Sequence, residues 1–450
     1  MITFDRVLPE LLRVCHEAPS HDAVARYCVV RDVRGRVRLV VEPKKGARLS
    51  EEALQSALAA ALDGYFVGPV LSAANGGEVE RLARRLLEMA KGKWPAGWPR
   101  SFQNLIGAAD TSISVETQWT GIERTLSKEA WLTTAPPAPP WPLVRGKTPP
   151  IVSFHSFKGG VGRSTLLATY AIRLASEPSA KRVAVVDLDL EAPGLGSLLG
   201  ATTERGVLDV LIDQLATGQI DLAGASIQAG LGNPMDQRLT VFPAGRLDDL
   251  YLQKLARLDY SSTEPGGENP VGVALRAMLE AMKADFDVIL LDSRAGLHDL
   301  AGMSLHGLAH VDVLVFRGTE QNLTGLGQTL RTLDSRGTAA QLVLVETLLP
   351  AEKEQFEFRQ ERTRPRVYDL LLQHIYPETD PPQRGDSGEP HDVVFVKRKE
   401  SLDLLDSFRD HLADVMNDGE FGEVARRIDD GCELYARRTA GGAGDKEDAE

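Results

Sequence analysis

Cysteine is scarce in this 450-residue chain, which holds only Cys15, Cys28 and Cys432. An odd, widely scattered set excludes a disulfide framework and points to a reducing compartment, so a cytoplasmic protein is expected. Long apolar runs are also missing, and Met1-Ile2-Thr3-Phe4-Asp5-Arg6 does not open like a secretory leader. No membrane partner is expected. Aromatic residues make up 6% of the chain, and all five tryptophans fall at Trp94, Trp98, Trp119, Trp131 and Trp141. Basic residues are outnumbered, 51 against 64 acidic, for a net charge of −13. The deficit is uneven. Residues 1–150 carry 20 basic and 16 acidic side chains, a net of +4, and the remainder carries 31 and 48, a net of −17. A phosphate backbone demands clustered cations, so nucleic acid is not expected as a partner.

Against these absences stands one dense motif, Lys158-Gly159-Gly160-Val161-Gly162-Arg163-Ser164-Thr165. The run before it, Pro150-Ile151-Val152-Ser153-Phe154, is short and apolar, as a buried parallel strand is. After it, Leu166 to Leu174 places apolar residues at helical spacing. A glycine-rich loop between strand and helix lets backbone N–H groups wrap a phosphate, and the helix start adds partial positive charge. Ser164 is placed to ligate Mg²⁺. The usual loop is Gly, four residues, then Gly-Lys-Ser/Thr. Here Phe157 stands at the first Gly and Arg163 at the Lys. Arginine keeps the charge but offers a planar fork instead of a compact ammonium.

Two further segments close apolar strands with carboxylates. Val183-Ala184-Val185-Val186-Asp187-Leu188-Asp189 is one. Val288-Ile289-Leu290-Leu291-Asp292, followed by Ser293-Arg294-Ala295-Gly296, is the other. Phosphoryl transfer needs positioning, charge neutralisation and a group that aligns the nucleophile, and these segments can supply them.

The loop resembles the deviant Walker A loop of the ParA/MinD class of P-loop ATPases, Lys-Gly-Gly-x-Gly-Lys-Thr/Ser, in its Lys-Gly-Gly-Val-Gly-Arg variant. The resemblance covers roughly residues 151–420. It implies ATP and Mg²⁺ as ligands, with residues 158–165 on the phosphates. It implies that Lys158 reaches the phosphates of a second copy across a nucleotide-dependent homodimer. It casts Asp187-x-Asp189 as switch I, with Asp189 aligning the attacking water and Asp187 supporting it. It casts Asp292 as a Mg²⁺ ligand through water, and Gly296 as the switch II residue whose backbone nears the γ-phosphate. Arg294 falls where the class more often has proline, and is expected to be a solvated switch residue or, alternatively, a contact to phosphate or partner. The resemblance places the adenine pocket at the segment that follows the 341–345 strand, Glu346-Thr347-Leu348-Leu349-Pro350.

The expected fold is α/β: a doubly wound, mostly parallel P-loop domain at 150–437, preceded by a small α+β module at 1–92. A Trp/Pro-rich connector at 93–149 and a disordered acidic tail at 438–450 complete the division. The module reads as a hairpin, 27–30 with 37–41, and helices at 50–63 and 77–91. Its Arg31-to-Arg38 stretch is expected to be a solvated strand face, and the tryptophans to glue the module onto the larger domain. Strands are expected at 151–154, 183–187, 239–242, 288–292, 311–316, 341–345 and 393–396, with a mobile loop at 377–390. His298, His306 and His310 lack a ligand-spaced partner and are expected to be packing or surface residues. Gly325-Leu326-Gly327 lacks a third glycine for dinucleotide binding, and Lys397-Arg398-Lys399 is expected to be solvated.

Within the class, an iron–sulfur branch is excluded because no cysteine lies between Cys28 and Cys432. A tyrosine-kinase branch needs a terminal tyrosine cluster, and the tail has only Tyr435. Membrane docking needs an amphipathic end, and 420–437 is too acidic. The leading expectation is a slowly hydrolysing dimerisation switch with an unidentified protein partner met through residues 1–149. The alternatives are a nucleotide-sensing module without turnover and a ParA-type DNA or cargo positioner.

Overall fold

The computed structural model describes every residue except 1, 48, 75, 96–97, 99–117, 126, 133–137, 180, 262–268, 335–339, 404 and 445–450. The chain forms two units, Met1–Thr134 with Ser261–Gly267, and Ala135–Tyr260 with Glu268–Glu450.

The first unit runs α1 (Phe4–Glu17), β1 (Val24–Arg31), β2 (Val37–Pro43), α2 (Glu51–Leu62), β3 (Leu71–Ser72), α3 (Gly77–Met89), β4 (Trp119–Glu123) and α4 (Glu129–Leu132). Its sheet has the order β3-β2-β1-β4. The β1–β2 hairpin forms as expected, with Val29 opposite Leu39. Its turn closes because Asp32 accepts from Gly35 N–H at 2.8 Å while Gly35 adopts φ +80°, a conformation glycine takes without a Cβ penalty. Successive strand side chains point to opposite faces. Tyr27, Val29, Leu39 and Val41 therefore bury against α1 and α2, while Cys28 and Val40 bury against α3.

Two expectations are corrected here. Arg31 is not on a solvated face: it pairs with Glu123 on β4 and lies over the rings of Phe4 and Trp98. Trp94, Trp98 and Trp119 pack into this unit's own core, where Trp119 stacks on Tyr27 at 4.2 Å between ring centroids. Of the expected connector at 93–149, residues 99–117 and 133–137 lie outside the described residues.

The second unit continues with β5 (Ile151–His155), α5 (Arg163–Ser176), β6 (Val183–Asp187), α6 (Leu195–Leu198), α7 (Val207–Thr217), β7 (Ile227–Gln228), β8 (Leu239–Phe242), α8 (Tyr251–Leu255) and α9 (Pro270–Met282). Then follow β9 (Val288–Asp292), α10 (Asp299–Gly307), β10 (Val311–Phe316), α11 (Glu320–Asp334), β11 (Gln341–Leu349), α12 (Lys353–His374), β12 (Val394–Lys397), α13 (Leu412–Asn417) and α14 (Gly419–Gly444). The sheet order is β12-β11-β10-β5-β9-β6-β8-β7, parallel except for the short β7. The strands are apolar runs buried on both faces, which is why they pair in parallel under helices instead of alternating polar and apolar. The expected α/β doubly wound class is what forms. Ligands of such sheets bind outside the carboxyl ends of the strands, where the winding reverses. Here it reverses at β5, with β9 and β6 on one side and β10 and β11 on the other.

Helix α5 is buried along nearly its whole length because α13 and α14 cover it from outside. Tyr170 on α5 donates to Asp429 on α14 at 2.8 Å, and Arg173 caps the carbonyls of Val415 and Met416 at 2.9 Å each. Helix α14 runs on to Gly444, past 438 where a disordered tail was expected. Its stripe of Phe421, Val424, Ile428 and Tyr435 stays buried, and an established helix adds further turns at little cost. Of the run 397–399, Arg398 is exposed as expected, but Lys399 pairs with Asp418 and Glu420 at the start of α14, and Lys397 also pairs with Glu420.

The loop after β5 is anchored by a close approach. Phe157 lies against Gly325 of α11, so that a Cβ built at Gly325 would sit 2.0 Å from the ring. This accounts for Gly325 in the Gly-Leu-Gly run. In an exposed helix, Gly→Ala stabilises by about 1 kcal/mol. Gly325→Ala is expected instead to cost about 1–3 kcal/mol in urea unfolding, because it overpacks the ring. Phe157→Ala in the same chain should remove most of that cost; additive costs would contradict the contact.

Candidate functional site

The loop 156–162 reaches α5 through two left-handed glycines, Gly160 at φ +70° and Gly162 at φ +79°, the latter at the helix N-cap. No atom lies within 4 Å of a Cβ built at either, so the backbone conformation and not crowding calls for glycine. The loop is pinned on three sides. Gly296, at φ +78°, donates its N–H to Ser156 carbonyl at 2.9 Å. Thr347 at the end of β11 donates its hydroxyl to Val161 carbonyl. Phe157 seats on Gly325.

Beside the loop, strand register brings the carboxylates together. Asp187 and Asp292 are direct partners on β6 and β9, and Phe154 of β5 is partner to Asp292. Arg163, first residue of α5 and 8% exposed, turns into this corner. Its Nε donates to Asp292 Oδ1 at 2.7 Å, and its Nη2 to Asp189 Oδ2 at 3.2 Å and Ser164 Oγ at 3.3 Å. Burial alone would lower the arginine's pKa; the charges of Asp292 and then Asp189 outweigh it and raise it. Burial raises Asp292 above the usual carboxylate range, against the pull of Arg163. Asp187 is pushed up to about 8 by burial and then by Asp292, opposed by backbone N–H bonds. It accepts from the N–H groups of Asp189, Gly194 and Leu195 at 3.1–3.3 Å, which shapes the segment leading into α6. His155, fully buried below the loop, is lowered to about 3 by burial and then by the Arg163 charge.

Arg163, Ser164, Asp189 and Asp292 line one cavity of about 330 Å³, together with Gly194 and Ser197 of the α6 segment. Lys158, Gly159 and Gly160 are not among the residues that line it, and both glycines are exposed. Thr165 follows on α5. Lys158 is half-buried, 6.0 Å from the centroid of the Phe157 ring, and makes no ion pair with a described residue.

The second loop pair is also tied. Arg294, expected to be solvated, pairs with Glu191, and Glu191 accepts from His298 Nε2 at 2.9 Å. The reason is that the segments after β6 and β9 start side by side, so Glu191, four residues beyond β6, meets Arg294, two residues beyond β9. Sequence reasoning missed Glu191; its spacing from Asp189, equal to that of Arg294 from Asp292, was the available signal. It also left Thr347 without a role. In the segment assigned to the adenine side, which proves to continue β11, Glu346 is buried and accepts from Gly318 N–H at 2.7 Å, and Leu348 takes φ +57° at a register shift in the β11–β12 pairing. His310 is a packing residue: Nδ1 accepts from Ile151 N–H at 2.9 Å and Nε2 donates to Trp141 carbonyl at 3.0 Å. Among the described residues no group of three His, Cys, Asp or Glu side chains is placed to hold a metal. Nor is any described helix long and apolar enough to cross a membrane.

Removing one partner of a buried ion pair strands the other, which typically costs about 3–5 kcal/mol, whereas an apolar replacement of both is near neutral. Asp292→Asn is therefore expected to destabilise by about 3 kcal/mol, and Arg163→Met in the same chain to recover most of that. Urea unfolding of the two variants checks it; a neutral Asp292→Asn would contradict the pairing.

No protein-family model matches the chain. A stretch of 163 residues is 32% identical to the septum site-determining protein MinD of Helicobacter pylori, covering 36% of this chain and 50% of MinD. The chain thus spans half the length of that curated relative. Among solved structures, the cell division ATPase MinD of Pyrococcus furiosus is 25% identical, covering 47% of this chain and 79% of its own, with a TM-score of 0.35. The ATP complex of McdA from Cyanothece is 15% identical, covering 63% and 97%, with a TM-score of 0.44. The pNOB8 ParA bound to nonspecific DNA is 18% identical, covering 62% and 98%, with a TM-score of 0.41.

Proposed function

We propose that this ParA/MinD-type P-loop protein binds ATP with Mg²⁺ and acts as a slowly hydrolysing, nucleotide-dependent dimerisation switch on a protein partner. One observation carries the reading. A loop with two left-handed glycines opens a buried helix directly onto a hydroxyl and two strand-end carboxylates. Free N–H groups at a helix start suit phosphate, and hard oxygen donors suit Mg²⁺. That ion commonly leans on one or two protein oxygens and the nucleotide's own phosphates, so a cluster of three protein ligands is not required. Ser164 would hold it directly and Asp292 through water.

In this reading residues 158–165 cradle the phosphates, with Arg163 on the triphosphate. Asp189 aligns the attacking water, and Asp187 keeps it in place through the N–H bonds it accepts. Gly296 brings switch II to the γ-phosphate, a role its bond to the loop at Ser156 supports. Lys158 serves the partner copy, since it lies outside the cavity that Arg163 lines. Residues 1–149 offer the surface for the protein partner, and the cytoplasm is the proposed compartment. The second reading, a nucleotide-sensing module without turnover, is favoured by one contact: Arg163 clasps the side chain that would align water.

Asp189→Ala is expected to bind a fluorescent ATP analogue and to lose turnover by roughly a hundredfold. A parental rate would contradict the assignment of Asp189, and a parent without turnover would favour the binding module. In sedimentation with ATP, Asp189→Ala should dimerise, and the further change Lys158→Ala should leave monomer. Equal dimer populations, or none in either protein, would refute the trans-acting lysine.

A further inference from the structure

The candidate site carries its own cation. The oxygens that Arg163 engages, Asp292 Oδ1, Asp189 Oδ2 and Ser164 Oγ, include the protein donors that a divalent ion would use. A guanidinium suits this corner better than an ammonium does, because its planar fork sends N–H groups to separate acceptors at once. It is also sheltered: Arg163 is 8% exposed and Asp292 1%, so bulk water does not dissolve the pair. Resting on the nucleotide reading above, we propose that Arg163 occupies the divalent-cation position of the nucleotide-free site, so that metal enters only when a triphosphate draws the guanidinium away.

The Arg163 fork fills the space in which an ion on Ser164 Oγ, reaching Asp292 through water, would sit, so metal and arginine compete for the corner. A triphosphate changes the contest because it offers the fork a charge-assisted, bidentate alternative on the other side of the loop. Asp292, Asp189 and Ser164 are then released to face an ion, and the coupling is reciprocal: nucleotide favours metal and metal favours nucleotide. Asp189 Oδ1, which is buried and accepts no hydrogen bond from a described residue, would be left for the ion's water shell. The same competition follows from the local sequence. Arg163 immediately precedes the hydroxyl that binds metal, and α5 starts level with the ends of β6 and β9. The arginine therefore reaches both carboxylates without any movement of the loop.

The test is Mn²⁺ binding to the full chain, read by electron paramagnetic resonance without nucleotide. Wild type is expected to bind weakly, and both Arg163→Gln and Arg163→Lys to bind about tenfold more tightly or better. Arg163→Lys keeps the buried charge, so it also serves if Arg163→Gln folds poorly. Magnesium alone should raise the melting temperature of the variants and leave that of wild type unchanged. Wild-type affinity equal to that of both variants would overturn the proposal. A rise in Arg163→Gln alone would also overturn it, because it would reflect lost charge and not a vacated position. Failure of a fluorescent ATP analogue to bind wild type would instead overturn the nucleotide reading, since the Mn²⁺ comparison is made without nucleotide.

Discussion

Three carboxylates crowd the carboxyl ends of β6 and β9, and one guanidinium answers them. Asp187 and Asp292 are register partners on neighbouring strands, about 5 Å apart by the spacing of any sheet, so two full negative charges there would repel strongly. The chain resolves this in two ways. Asp187 spends its oxygens on backbone N–H groups, with its pKa pushed up to about 8, and Asp292 is neutralised by Arg163. Because Arg163 also holds Asp189, the segments that follow the two strands are fastened to the start of α5. The Glu191 bridge to Arg294 and His298 fastens them again farther out. Any ligand that takes hold of Arg163 acts on both segments together.

The scaffold that makes this possible is stiff. Helix α5 is roofed by α13 and α14, and the loop before it is held by Phe157 on Gly325, Thr347 on Val161 and Gly296 on Ser156. With the loop fixed, the freedom left in the corner belongs to side chains. An arginine choosing between carboxylates and phosphate is thus a local event with a wider consequence for the segments it binds, the pattern on which nucleotide switches depend.

Much of this was legible in the sequence because periodicity and spacing carried it. Apolar strands closed by Asp187 and Asp292 and a glycine loop before a helical pattern are local signals, and the parallel sheet followed from their alternation. What was not legible depends on residues far apart in the chain. Nothing near Arg163 announces that its side chain would face Asp292, 129 positions later, instead of awaiting phosphate. Arg294 reads as a solvated residue until β6 and β9 set Glu191 beside it. Gly325 reads as half of a weak motif until Phe157 is seated on it. Trp98 and Trp119 read as glue between domains, and instead they fill the first unit's core. Helix α1, whose Pro9 weakens the helical reading, was missed outright, although its apolar face is buried against the first sheet.

The central claim is that a triphosphate bound at residues 158–165 takes Arg163 away from the carboxylates. The most direct measurement is a crystal structure of the full chain with a non-hydrolysable ATP analogue and Mg²⁺. The account predicts the phosphates over the glycine loop, the Arg163 guanidinium on them, and Mg²⁺ between Ser164 and the Asp292 side. A nucleotide bound elsewhere, or one bound at the loop with Arg163 still joined to Asp189 and Asp292, would contradict it.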